Sequence, residues 1–181
     1  MDWMRIGVSV AELLLTIVMA VLTVFVVYRA LIKTNTDFDE DKEILKGNLA
    51  VGLLVAALLL AAANMMHQAF EPVADTVHMT LTNPLAKEGR TWKLAVYSIA
   101  NLGLAFFIVV STLSFSLRLF GRLTRTKDSR PGKELFKGNV AIGVILSSFV
   151  LVVSLFVGEG VRAVTKALIP RPSVGRMMIM R

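Results

Sequence analysis

The chain contains no cysteine, which excludes disulfides, thiolate nucleophiles and every thiolate metal site. Histidine is nearly absent as well: His67 and His78 are the two in the sequence, too few for an imidazole-rich metal or acid–base centre. Charge is scarce, with 18% of the 181 residues charged against 55% hydrophobic, and the mean hydropathy is +0.68. A soluble domain of this size needs a polar shell that such a composition cannot supply, so the expected class is an integral membrane protein. Five prolines and twelve glycines are too few for a collagen-like or disordered chain. Catalytic motifs are missing too. There is no phosphate loop, no G-x-S-x-G, no zinc-protease motif and no pair of carboxylates at catalytic depth. The expectation is a protein that is not an enzyme and uses neither cofactor nor metal.

What the sequence has is four long apolar stretches, at 6–28, 49–70, 94–117 and 138–158. Roughly 20 residues at about 1.5 Å each cover the ~30 Å hydrocarbon core, so every stretch is long enough to span as a helix. The first is too long for the apolar region of a signal peptide, lacks an A-x-A site and ends on Tyr28-Arg29, an interfacial pair. It reads as a retained helix. The expected fold class is therefore all-α and integral membrane, with four transmembrane helices.

Lys and Arg near the span ends set the orientation. The first connection carries Arg29, Lys33, Lys42 and Lys46; the third carries Arg118, Arg122, Arg125, Lys127, Arg130, Lys133 and Lys137. On the other side lie Arg5, the middle loop with Lys87, Arg90 and Lys93, and a basic tail. The third connection is short and dense, which places loops 29–48 and 118–138 in the cytoplasm and both termini outside. The net charge of +7 and pI near 10.1 then describe attraction to anionic headgroups, and no nucleic acid is expected as partner because aromatic interleaving is missing.

The sequence also repeats itself. Residues 42–52, KEILKGNLAVG, align without a gap on 133–143, KELFKGNVAIG, at a constant offset of 91. Lys42/Lys133, Glu43/Glu134, Lys46/Lys137, Gly47/Gly138, Asn48/Asn139, Ala50/Ala141 and Gly52/Gly143 are identical pairs. The division is a first two-span repeat at 1–91, a second at 92–170 and a Met-rich basic tail at 171–181. Two spans per repeat insert both copies the same way up, so they form parallel-repeat helical hairpins related by an axis along the membrane normal. The offset extends past the second span of each half, where 69–79 and 160–170 place apolar residues at helical spacing, such as Phe70, Val73 and Val77 opposite Val161, Val164 and Leu168. A short amphipathic, partly interfacial helix is expected after each.

Two tandem two-span units, each with K-E-x-x-K-G-N-x-A-x-G entering its second helix, resemble the YjfL-type family of bacterial inner-membrane proteins, the domain of unknown function numbered 350. The resemblance covers about residues 9–79 and 98–170. It implies a multi-pass protein of the bacterial cytoplasmic membrane without established chemistry. Some relatives appear beside membrane-stress and membrane-remodelling proteins, which suggests scaffolding. The stretch after Pro170 has no counterpart in the repeat.

Several residues stand out as packing or binding candidates. Lys46 and Lys137 suit snorkelling to headgroups. Gly47 and Gly138 suit close helix approach, and Asn48 and Asn139 suit capping or bridging of helices. Alternatively, Glu43, Glu134 and these lysines form a binding ring at the cytoplasmic mouth. Gly52 and Ala56, with their equivalents Gly143 and Ser147, have small-xxx-small spacing and point to pairing of the second and fourth spans. Glu12, Asn64 and Asn101 are polar groups within spans, hence candidates either for ion binding or for contact with another helix. His67, Glu71, Asp75 and His78 share a helical face that resembles a metal site, but Pro72 interrupts them. Glu71 and Asp75 match Arg162 and Lys166 at the repeat offset, so the two post-span segments carry opposite charge and are candidates for pairing. In the tail, Met177, Met178, Ile179 and Met180 between Arg176 and Arg181 form an adaptable apolar contact flanked by cations.

Two functional classes follow. One is a non-enzymatic integral membrane subunit or scaffold that packs into a homo- or hetero-oligomer with itself or other membrane proteins. The other is a small ion or solute channel or transporter lined by Glu12, Asn64 or Asn101, for which polar periodicity along the spans is weak.

Overall fold

Long apolar runs without internal turn residues satisfy their backbone groups within one segment, and in this chain they do so as helices. The structure, a computed structural model, describes residues 3–29, 40–82, 91–123 and 131–168. In chain order the elements are α1 (Trp3–Val27), α2 (Glu40–Leu45), α3 (Leu49–Thr82), α4 (Thr91–Leu123), α5 (Pro131–Phe136) and α6 (Val140–Leu168). No strand occurs among the described residues. Helices α1, α3, α4 and α6 are long and apolar enough to cross a membrane. The protein is an all-helical membrane protein.

Contacts fix the directions of the helices. Ala50 meets Gly143, Met65 meets Gly158 and Glu71 meets Arg162, so α3 and α6 advance together and run parallel. Glu12, near the start of α1, lies 3.3 Å from His78, near the end of α3. At the other end of α1 the Tyr28 hydroxyl donates to the Asp41 carboxylate just before α3 begins. Helix α1 therefore runs antiparallel to α3. Helix α3 is the centre of the molecule and packs on α1, α4 and α6. Of its most apolar stretch 56% is buried, against 11% for α1, 22% for α4 and 28% for α6. Its alanines explain this position. Ala50, Ala57, Ala61, Ala62 and Ala69 are all buried, and short side chains let neighbouring backbones approach in a medium where apolar area alone drives no association.

Two features differ from the sequence expectation. The stretch 69–79 is no separate helix, because α3 passes through Pro72 without a break; likewise 160–168 continues α6. Pro72 is buried, and the Thr76 hydroxyl donates to its carbonyl at 2.8 Å. A proline inside a helix is tolerated where local groups and packed neighbours take up the disturbed backbone. The other difference is α2 and α5, one short helix before the second and one before the fourth spanning helix, where the sequence suggests only the entry to a span.

Candidate functional site: the duplicated turn and the central seam

The K-G-N segment forms a helix stop followed at once by a helix start. Gly47 has φ of +80°, the left-handed conformation that L side chains rarely adopt. The Gly47 N–H donates to the Ile44 carbonyl at 2.9 Å and the Asn48 N–H to the Glu43 carbonyl at 3.0 Å. This pair of bonds is a Schellman motif, which satisfies the orphan carbonyls at the end of α2. Asn48 then caps α3, its Oδ1 accepting the Val51 N–H at 3.3 Å. At an offset of 91 the arrangement recurs. Gly138 has φ of +79°, its N–H reaches the Leu135 carbonyl at 2.9 Å, Asn139 N–H reaches Glu134 at 3.0 Å, and Asn139 Oδ1 accepts from Ile142 at 3.4 Å. A salt bridge closes each turn, Lys46 to Glu43 at 2.7 Å and Lys137 to Glu134 at 2.9 Å. Gly47 and Gly138 are thus needed for backbone conformation and not for close helix approach, since no atom crowds a Cβ at either: space is open at Gly47, and at Gly138 the nearest atom is Asn48 Oδ1 at 3.9 Å.

The environments of the two turns are unequal. Asn48 Nδ2 crosses to the second turn and donates to the carbonyls of Leu135, at 3.0 Å, and Phe136, at 3.3 Å. Lys46 Nζ stands 5.8 Å from the centre of the Phe136 ring, over its face, a cation–π contact between the halves. Asn139 is exposed, and its amide nitrogen has no partner among the described residues. Glu43 is buried where Glu134 is half-buried. The Lys46 hydrogen bond holds the Glu43 carboxyl below its ordinary value; burial opposes this and the Asn48 hydrogen bond reinforces it.

Below the turns, α3 and α6 form a close seam. A Cβ at Gly143 would lie 2.8 Å from the Ala50 Cα and 2.9 Å from its carbonyl oxygen, so only glycine fits. Farther along, Asn64 Nδ2 donates to the Ser154 carbonyl at 3.1 Å, and Gly158 sits against Gln68, Asn64 and Met65. Near the far end Arg162 donates to Glu71 at 2.8 Å. Phe120 of α4 packs on Phe149 of α6 with ring centres 5.5 Å apart.

The family described as Domain of Unknown Function (DUF350) matches residues 5–161, a span that takes in most of α1, all of α3 and α4, both turns and most of α6. The chain belongs to this family. No curated protein and no solved structure matches it.

The remaining candidates fall in separate places. Gly143 and Ser147 are buried in the seam, whereas Gly52 has open space around it and Ala56 is exposed. His67 is exposed, Glu71 bonds Arg162, Asp75 is exposed and His78 lies beside Glu12, so the four residues of that helical face do not converge. Among the described residues no group of three His, Asp or Glu side chains could hold a metal ion. Asp75 and Lys166 are both exposed and, unlike Glu71 and Arg162, show no ion pair among the described residues. Asn101 is buried in α4, with no partner for its amide nitrogen among the described residues. The tail candidates Met177, Met178, Ile179 and Met180, with residues 124–130 of the basic third loop, lie outside the described residues. Sequence reasoning missed α2, α5 and the Schellman geometry. Their signal was present: acidic residues in the first turn, lysine in the last, then Gly followed by a capping Asn.

Proposed function

We propose that the protein is a non-enzymatic subunit of an oligomeric assembly in the bacterial cytoplasmic membrane, built from two tandem copies of a two-span unit. The observation that carries this reading is the doubly built turn. A Schellman stop, an asparagine cap and a lysine–glutamate clasp recur at an offset of 91, and in the first half they serve to grip the second half. Such an element joins units. The seam below it is lined by small and apolar side chains suited to helix association. The two halves insert the same way up, with both turns cytoplasmic and the termini outside, and the basic segments bind anionic headgroups.

Native mass spectrometry of the detergent-solubilised protein tests the reading: an oligomer, alone or with other membrane proteins, is expected, and a monomer overturns it. The second reading, a channel or transporter, rests on Glu12 beside His78 between α1 and α3. Ion flux through reconstituted protein that disappears in Glu12→Gln would favour it over the scaffold.

A further inference from the structure

The seam joins two related helices through faces that overlap only in part: Val55/Leu146, Phe70/Val161 and Ala74/Thr165 are buried in both helices, but other equivalent positions are not. In α3 the side chains of Ala50, Leu54, Ala61, Met65 and Ala69 are buried. Their equivalents in α6, at an offset of 91, are Ala141, Ile145, Val152, Phe156 and Gly160, and all five are exposed. Conversely α6 buries Gly143, Ser147, Ser154 and Gly158. The equivalents in α3 are Gly52, Ala56, Ala63 and His67; Gly52 is half-buried with nothing within 4 Å of a Cβ, and the other three are exposed. A two-fold axis between the halves would make every contact reciprocal. Ala50 against Gly143 would then require Ala141 against Gly52, which does not occur. Helix α3 also packs across the halves on α4, while α6 has no comparable contact with α1. The halves are therefore joined head to tail, with one complementary surface left open at each end.

We propose that a second copy of this chain occupies these surfaces, the exposed face of α6 in one protomer docking on the open face of α3 in the next. This rests on the tandem-unit reading above, and it names the interface. The join inside the chain is the template. Met65 Cα lies 3.8 Å from a Cβ at Gly158, so Phe156 of one protomer meets His67 of the next. Gln68 lies 3.3 Å from that same Cβ; its equivalent, Glu159, brings a carboxylate to the His67 imidazole. Both His67 and Glu159 are exposed, with no partner among the described residues. At the other end, the amide of Asn139 takes the part of Asn48 and donates to the carbonyls of the first turn, beside the exposed Ile44 and Leu45. Helix α1, the least buried of the four long helices, acquires α6 of the neighbour as α4 has α3 within the chain. A head-to-tail interface repeats until it closes, and an axis along the membrane normal keeps the series in the bilayer plane as a ring.

The absence of cysteine makes the test clean. Two differently tagged single-cysteine proteins, Phe156→Cys and His67→Cys, are co-expressed in membranes and oxidised. Both positions are exposed, so the fold accepts the changes, and close Cα approach of the template pair favours a disulfide. A mixed dimer formed by the pair, and by neither variant alone, is the expected result. Dimers of Phe156→Cys with itself show a two-fold interface and overturn the proposal; no crosslink at all shows a lipid-facing surface and also overturns it. A cysteine-free variant gives a second readout. Gly52→Leu fills the space where Ala141 of the neighbour would sit, so the largest species in native mass spectra should be lost with helical content unchanged. An oligomer that persists in this variant overturns the interface while the scaffold reading stands; a monomeric wild type would overturn both.

Discussion

Four glycines carry distinct burdens at the residue scale. At Gly47 and Gly138 the constraint is conformational, because φ near +80° disfavours any side chain irrespective of space. Alanine at either should cost about 1–2 kcal/mol, the usual penalty for an L residue in the left-handed region. At Gly143 the constraint is steric, with the Ala50 backbone 2.8 Å from a Cβ. Gly143→Ala gains up to about 1 kcal/mol of helix propensity but forces two backbones apart, and overpacking of about 1–3 kcal/mol wins. Gly52→Ala meets open space within its own protomer and should leave helical content unchanged, whereas Gly143→Ala lowers the thermal midpoint in detergent. Glu43 adds a pH dependence. Its carboxyl titrates below the ordinary 4.5, so the stabilisation it gives is full above that value and is lost as pH falls through the depressed one. Melting followed from about pH 7 to about pH 3 should show this loss, and Glu43→Gln should remove that part of the slope.

The elements differ in how much their sequences say about their ends. Apolar runs of more than twenty residues set the spanning helices, but their continuation beyond the core depends on neighbours. Helix α3 continues through Pro72 because its last turns lie against α1 and α6, where Glu12 and Arg162 meet His78 and Glu71. Hydropathy falls there while helical geometry persists, so the sequence reading broke one helix into two. Short helices α2 and α5 escaped for the opposite reason: six residues give too little periodicity to register, although their stop signal is plain. The tail at 173–181 follows Pro170 and Pro172, and its run of Met177 to Met180 is costly to leave in water. Deleting 173–181 should preserve membrane insertion but weaken assembly, seen as a loss of the largest species on native gels; unchanged assembly would show that the tail takes no part in it.

For the whole molecule, orientation and assembly are separate questions with separate probes. In the proposed topology, the density of Lys and Arg around the third connection orients the chain through insertion energetics and the surface potential of the inner leaflet. A reporter active only in the cytoplasm should work when fused near Ser129 and fail after Arg181. The reverse pattern would invert the topology and leave the helix packing as described, because the packing is fixed by contacts within the protein. Those contacts place α3 in the middle and leave α1 and one face of α6 uncovered.

Composition, span number and the repeat were determined by the sequence alone, since membrane helices are specified by local hydropathy and backbone self-satisfaction, which need no partner. The expectation that α3 pairs with α6 through Gly52, Ala56, Gly143 and Ser147 names only half of the residues found there: Gly143 and Ser147 are buried, whereas Gly52 stands open and Ala56 is exposed. A repeat at constant offset treats both halves as equal, yet two equal faces cannot both be donor and acceptor of the same head-to-tail contact. Only the tertiary structure decided that Asn48 bridges while Asn139 merely caps, and that Gly143 is crowded while Gly52 stands open, because each depends on the relative rotation of two helices that no residue pattern within either one encodes.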